Sequence, residues 1–354
     1  MNVRLALSLA AWLAMPAAHA AQAADRVVTA AIEGYVRPAY AEFEARSGEL
    51  AGAVGQLCSA PSPAALDGVR REFGRTVSAW SRIELLHLGP VTEANRLERV
   101  LFWPDRKGTG LKQVQAALAN EDPTAVDPAT LAGKSVAMQG LGALEFVLFG
   151  PDAETLAATA GYRCAYAAAI AKNVAGIAEA IEEEWQRPGG YADKWSNPGE
   201  ANPFFHDETE ARNELLGVIV EGLEMVHDQR LGFLGETAGE DKPKQALFWR
   251  SGLTVENIAG GLAGLSRLFE ASGIPDMLPT GQAWIAESIR FEFANAAHAA
   301  DRADGPVDEA LKDPARRNAL SYLRIVTRSL SDLFGTKLAA ELGLTAGFSS
   351  LDGD

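Results

Sequence analysis

The sequence predicts an all-α protein made of two packed antiparallel helical bundles. Three observations carry this. Apolar residues recur at helical spacing along nearly the whole chain. Ala, Leu, Glu and Arg are abundant, whereas alternating runs of β-branched residues are scarce. The helical segments fall into two blocks of comparable size, one on each side of a Pro- and Gly-rich stretch at 188–203. Amphipathic helices joined by short connections are the pattern of antiparallel bundles. The near-equal halves point to an ancient duplication, although Trp80-Ser81-Arg82 and Trp249-Arg250-Ser251 are only loosely alike.

Each element has a local reason. Residues 1–20 read as a secretory signal peptide. Arg4 is the only early charge, residues 5–15 form a short apolar core containing Trp12, and Ala18-His19-Ala20 is a small-x-small cleavage site, with Ala21-Gln22-Ala23 as a second choice. The core is too short for a stable bilayer anchor. An N-terminal bundle spans 25–187. Its first helix covers 29–57, with Pro38 as a kink or start. Ser59-Ala60-Pro61-Ser62-Pro63 breaks it. A second helix runs 63–88 to the stop Gly89-Pro90. Segments at 95–102, 111–119 and 127–131 follow, then a glycine-bearing helix at 136–149 and a long Ala-rich one at 152–185. The stretch 188–203 reads as a linker. The C-terminal bundle spans 204–345, with helices at 207–230, 254–272, 280–303 and 313–342. Residues 346–354 form a tail.

The formal net charge is -15. Losing residues 1–20 removes Arg4 and no acid, so it becomes -16. Such a protein repels nucleic acid and anionic lipid, which excludes nucleic-acid partners. No later run of 18 apolar residues lacks charge, so stable membrane insertion is not expected. There are two cysteines, Cys58 and Cys164. In an oxidising compartment a single pair is the economical reading, and a reactive thiol is the alternative. A bridge closing about 100 residues stabilises by about 2–4 kcal/mol. Neither cysteine has a ligand at zinc spacing.

The most informative stretch is Gly140-Leu141-Gly142-Ala143-Leu144-Glu145-Phe146-Val147-Leu148-Phe149-Gly150. It sets one carboxylate, Glu145, into an apolar helical pattern, where an ionised group is costly unless paired. Trp80, Glu84 and His87 stand at i, i+4 and i+7 of the second helix, on one face. Glu84 and His87 can coordinate a metal, or His87 can favour the helix C-terminus. Trp80 reads more simply as core. Arg96, Arg99 and Arg106 cluster near Glu98 and Asp105, and one of them is available to partner Glu145. Trp249-Arg250-Ser251 opens a helix of the second block, where an Arg beside an aromatic can take a carboxylate or ligand anion. In His206-Asp207-Glu208, Asp207 reads as an N-cap with Glu210 as its box partner. His227 and His298 read as structural. There is no nucleophile elbow, no Cys–His pair and no phosphate-cradling loop. Gly260, Gly261 and Gly264 lie inside a helical pattern and read as packing positions.

The Gly140–Gly150 stretch resembles the signature of the imelysin family, bacterial cell-envelope proteins linked to iron uptake and once classed as metallopeptidases. That signature reads Gly-x-His-x-x-Glu followed by apolar residues and a Gly. Gly140 and Glu145 match it, but Gly142 stands where the family has its His. The resemblance extends to Trp80 through Gly89, Pro90 and Val91, to the run Asn95 through Gly108, and to Phe248-Trp249-Arg250-Ser251-Gly252 with Asn257 and the helix at 262–269. Cys58 and Cys164 also lie where one branch of the family carries a Cys pair. The resemblance implies two packed helical bundles with a site near their junction. It also implies a periplasmic location, iron or another divalent cation as the bound species, and cell-envelope iron-uptake components as partners. With the motif His absent, the favoured expectation is a non-catalytic binding component, with Glu145, Trp80, Glu84, His87, Arg99, Trp249 and Arg250 as ligand-binding candidates. The rival is a metal-dependent peptidase that uses Glu145 with Glu84 and His87. A polysaccharide or small-ligand binder is a third reading, drawn from Tyr191 and Trp195 in the linker.

Overall fold

The computed structural model describes residues 26–345, so the signal peptide and the tail lie outside the described residues. The described residues form helices and connecting turns, with no strand among them. A lead-in helix Val27–Ala31 and a π-helical turn Ile32–Val36 precede α1, Arg37–Ser59. Pro38 follows directly on the π-helical turn inside one unbroken helical run, where a residue without an N–H interrupts the regular bonding ladder. α2 spans Pro63–Ile83. It is capped by Ser62, whose hydroxyl accepts from the Ala65 N–H at 3.2 Å, with Pro63 at the first helical position. Then come α3 (Thr109–Asn120), α4 (Leu141–Phe149), α5 (Tyr162–Gln186) and α6 (Tyr191–Ser196). The second half holds α7 (Glu208–Glu224), α8 (Thr254–Ser272), α9 (Trp284–Ala303) and α10 (Pro314–Asp332).

α1 lies between α2 and α5. Phe43 of α1 packs on Trp80 of α2, with ring centroids 5.0 Å apart, and Tyr40 stacks on Trp185 of α5 at 5.8 Å. Cys58 and Cys164 are joined as a disulfide that ties the end of α1 to the first turn of α5, so neither is a reactive thiol. In the second half α9 and α10 pair, and both α7 and α8 pack near them. α8 also crosses α2 and so joins the halves. The glycines of α8 permit that close crossing. A Cβ at Gly264 would lie 2.0 Å from the Arg82 carbonyl oxygen, and one at Gly260 would lie 2.7 Å from the Ser81 Cβ. The result is one continuous apolar core running through both halves.

Several elements differ from the sequence reading, each for a tertiary reason. α2 ends at Ile83, five residues short of its expected end at residue 88. Glu84 is its C-cap and His87 lies beyond it, so Trp80, Glu84 and His87 do not share a helical face. The expected helix at 136–149 divides into a 3₁₀ turn, Val136–Met138, and α4. A Cβ at Gly140, between them, would meet the Val100 carbonyl oxygen at 2.3 Å. The stretch 188–203 is folded. Trp195 of α6 is 1% exposed and donates its Nε1–H to the Ala211 carbonyl at 3.0 Å. Tyr191 and Phe205 pack against it, and Phe204 packs on Tyr191. Trp195 is therefore a core anchor and offers no platform for a saccharide. Gly89 keeps its expected role as a turn, with φ of +65°, and a Cβ there would press on the Tyr191 ring. Asp207 caps α7 as expected, accepting from the Thr209 and Glu210 N–H groups, while Glu210 reaches back to the His206 N–H.

Candidate functional site

A cavity of about 500 Å³ opens beside α4, within the range of small-ligand sites. The first half supplies one wall from Phe102, Trp103 and Arg106, with Gly142, Glu145 and Phe146 of α4. The second half supplies the other from Asp228, Gln229 and the run 244–250. Asp228 and Gln229 stand on a π-helical turn, Met225–Arg230, that ends α7. Such turns often occur at functional sites. The loop that follows is held from α10. Arg317 binds Asp241 through two nitrogens, at 2.7 and 3.0 Å, and Arg324 donates to the Leu231 and Leu234 carbonyls, both at 2.9 Å.

Glu145 is 4% exposed. Its Oε1 accepts two hydrogen bonds across the junction, from the Ser251 N–H and the Ser251 hydroxyl, each at 2.9 Å. Burial lifts its carboxyl above the usual carboxylate range, and the Ser251 bonds and the Arg250 charge only partly oppose that rise. Arg250 is half-buried. Burial pushes its guanidinium below the ordinary value, and Glu145 works against that. Its Cζ stands 4.5 Å from the Trp249 ring centroid and 5.3 Å from that of Phe146. The charge that acts on Glu145 is thus that of Arg250, without a direct ion pair, and not that of Arg96, Arg99 or Arg106. Trp249, Arg250 and Ser251 form a turn ahead of α8 rather than opening it. Phe248 enters that turn at φ of +55°. For a bulky residue this is an uncommon, strained conformation. The fully buried Phe248 ring, edge-on to Phe73 at 6.0 Å, holds it there.

The other candidates lie elsewhere. Trp80 is wholly buried in the core and does not line this cavity. Glu84 is buried behind the site. Its Oε1 accepts from Asn257 Nδ2 at 2.8 Å and from Arg230 Nε at 3.2 Å. Arg230 in turn lies 4.5 Å from the Trp103 ring centroid, so Trp103 separates this pair from the cavity. His87 reaches water, yet protein atoms crowd its ring, and that crowding, with the nearby Arg230 charge, holds its imidazole below the usual value. Arg99 donates to Gln139 Oε1 and Asn173 Oδ1, both at 3.0 Å, fastening the 96–100 helix to α5. Among the described residues, no three His, Cys, Asp or Glu side chains gather as metal ligands. The set Glu145, Glu84 and His87 is therefore not assembled. The donors at Glu145 do not fit a cation either: one oxygen is taken by Ser251, and a guanidinium is the nearest charge. Ser251 and Arg230, the groups that satisfy the two buried carboxylates, escaped the sequence reading. Each is distant in sequence from the acid it serves, and no spacing rule signals it.

The imelysin family model matches residues 36–331. No curated protein matches the chain. A crystal structure of an imelysin-like protein from Psychrobacter arcticum 273-4 is similar in fold, with a TM-score of 0.74 at 20% identity, covering 93% of this chain and 98% of that one. A putative iron-regulated protein A precursor from Parabacteroides distasonis ATCC 8503 also has a TM-score of 0.74, at 12% identity, covering 90% and 95%. Identities this low speak for the fold alone, but the family model spans most of the sequence, and on that ground the chain belongs to the imelysin family.

Proposed function

We propose that this chain is a non-catalytic, periplasmic binding protein associated with iron acquisition, and that the cavity beside Glu145 is its ligand site. The observation that carries the reading is the state of Glu145. Gly142 offers no imidazole one turn away, and the carboxylate is engaged by Ser251 beside Arg250. A metal-bound water would need at least two more ligands. The disulfide supports an oxidising compartment, as does the N-terminal signal-like stretch. The structural likeness to a protein described as iron-regulated and as a precursor supports the link to iron and to secretion. Cell-envelope components of iron uptake are the partners this role requires.

The test pairs elemental analysis of the purified mature protein with a proteolysis assay on denatured protein substrates, using Glu145→Ala as control. The expected result is no stoichiometric metal and no cleavage that depends on Glu145. Stoichiometric zinc together with Glu145-dependent cleavage would establish the rival peptidase.

A further inference from the structure

From the charges that face the Glu145 cavity, we propose that its ligand is a small organic anion with a flat apolar body, a carboxylate on an aromatic ring system, held by Arg250 with Arg106 and Lys244 at the rim. This rests on the binding role proposed above and names its ligand class.

The cavity wall carries three acids and three cations. The acids are engaged. Asp105 accepts from the Thr109 and Leu111 N–H groups, at 2.8 and 3.2 Å. Glu145 accepts twice from Ser251. Asp228 lies 2.6 Å from the His227 Nδ1. The cations are not bonded to carboxylates, although Arg250 lies near enough to Glu145 for the two charges to act on each other. Among the described residues, no ion pair joins Arg106, Lys244 or Arg250 to an acid within 4.0 Å, and none of their side chains makes a hydrogen bond there. Instead, aromatic faces hold them: Arg250 stands over Trp249 and Phe146, and Lys244 lies 5.9 Å from the Trp249 ring centroid. In a protein of net charge -15, a wall on which three cations match three acids is locally far less negative than the rest, and the charged groups left without a hydrogen-bond partner on it are the cations. A guanidinium stacked on an aromatic face keeps its planar donor edge for a carboxylate.

The rest of the lining chooses the body of the ligand. Phe102, Trp103 and Phe233, with Leu111 and Val114, supply apolar and aromatic wall. A bare inorganic anion would leave that surface wet, and a bare cation would meet Arg250. A ring system bearing one carboxylate satisfies both parts of the wall.

The experiment is calorimetric titration of the full mature protein with four probes at neutral pH: 2-naphthoate, acetate, 2-naphthol and zinc chloride. 2-Naphthoate should bind at one site per chain, at least tenfold tighter than either acetate or 2-naphthol. Arg250→Gln should weaken it at least tenfold, and the double variant Arg106→Gln/Lys244→Gln two- to fivefold. Because Arg250 touches the packed junction, circular dichroism checks its fold, and the rim variant decides the matter should Arg250→Gln not fold. Equal affinity for 2-naphthol and 2-naphthoate, an unchanged rim variant, or no binding of 2-naphthoate would each overturn the anion assignment. Glu145-dependent binding of zinc without 2-naphthoate would overturn it while leaving a binding role intact, whereas Glu145-dependent proteolysis would remove that role as well.

Discussion

At the scale of single residues, two neighbouring glycines have opposite reasons to exist. A Cβ at Gly140 would sit 2.3 Å from the Val100 carbonyl oxygen and 2.6 Å from that of Arg99. Backbone cannot move aside as a flexible side chain can. Gly140→Ala should therefore destabilise by about 1–3 kcal/mol or more. A Cβ at Gly142 meets nothing within 4 Å, and the residue lies inside α4, where glycine is a poor helix former. Gly142→Ala should stabilise by about 0.5–1 kcal/mol. Urea denaturation of the two variants checks both signs, and a loss in each would mean that Gly142 too is held by packing. Glu145 makes a pH-dependent prediction. Its carboxyl is raised above the ordinary 4.5 by burial. The folded state therefore holds the proton more tightly than the unfolded chain does. The stability this gives is full below the ordinary value and is lost as pH rises through the raised one. A glutamine amide can still accept from Ser251 but does not ionise. Glu145→Gln should gain stability over the parent as pH climbs from 4.5, and the gain should level off once the parent is fully ionised. A difference that stays flat with pH would show that the carboxyl ionises freely.

At the scale of elements, the sequence reveals what periodicity and capping control and hides what distant contacts decide. Helix type is legible in the long segments, because apolar spacing is a local property, but not in α6, which folds inside the Pro- and Gly-rich stretch 188–203. Asp207 and the packing glycines Gly260, Gly261 and Gly264 are legible for the same reason. The end of α2 is not. By spacing alone the helix runs on to Gly89, but it stops at Ile83, and Glu84 turns to meet Asn257 and Arg230. Those partners lie more than a hundred residues away, so no local window contains them. The same holds at the site. Glu145 stands out as an acid in an apolar run, yet its donors belong to Ser251, on the far half of the chain. Arg99 shows a third case, in which a residue that reads as a ligand or ion-pair group is used as a fastener between elements. Its guanidinium supplies both Gln139, fully buried, and Asn173, 7% exposed. Arg99→Met keeps the length and removes the donors. Each orphaned buried acceptor costs about 1–3 kcal/mol, so a loss of about 2 kcal/mol or more is expected. Loss of under 0.5 kcal/mol in chemical denaturation would mean that water replaces the guanidinium at no cost.

For the whole molecule, the two halves share one apolar core, and polar bonds cross between them at Glu145–Ser251 and at Glu84–Asn257. Because that core runs unbroken across the junction, both halves should unfold in one transition. The disulfide acts on that transition from the unfolded side. Cys58 and Cys164 are 106 residues apart. The loop they close contains all of α2, α3 and α4, and hence the whole first-half wall of the cavity. A loop of about a hundred residues loses enough chain entropy, on the simplest model, for about 4–5 kcal/mol of stabilisation, with observed values of about 2–5 kcal/mol. The double variant Cys58→Ser/Cys164→Ser should thus unfold at lower denaturant concentration. It should also show a steeper dependence on denaturant, because the unlinked chain exposes more surface when it unfolds. The site should survive in the folded variant, since neither cysteine lines the cavity. A second transition in the variant alone would mean that the bridge, and not the shared core, makes the halves cooperate. An unchanged midpoint with unchanged slope would mean that the unfolded chain keeps α1 and α5 together without a covalent tie.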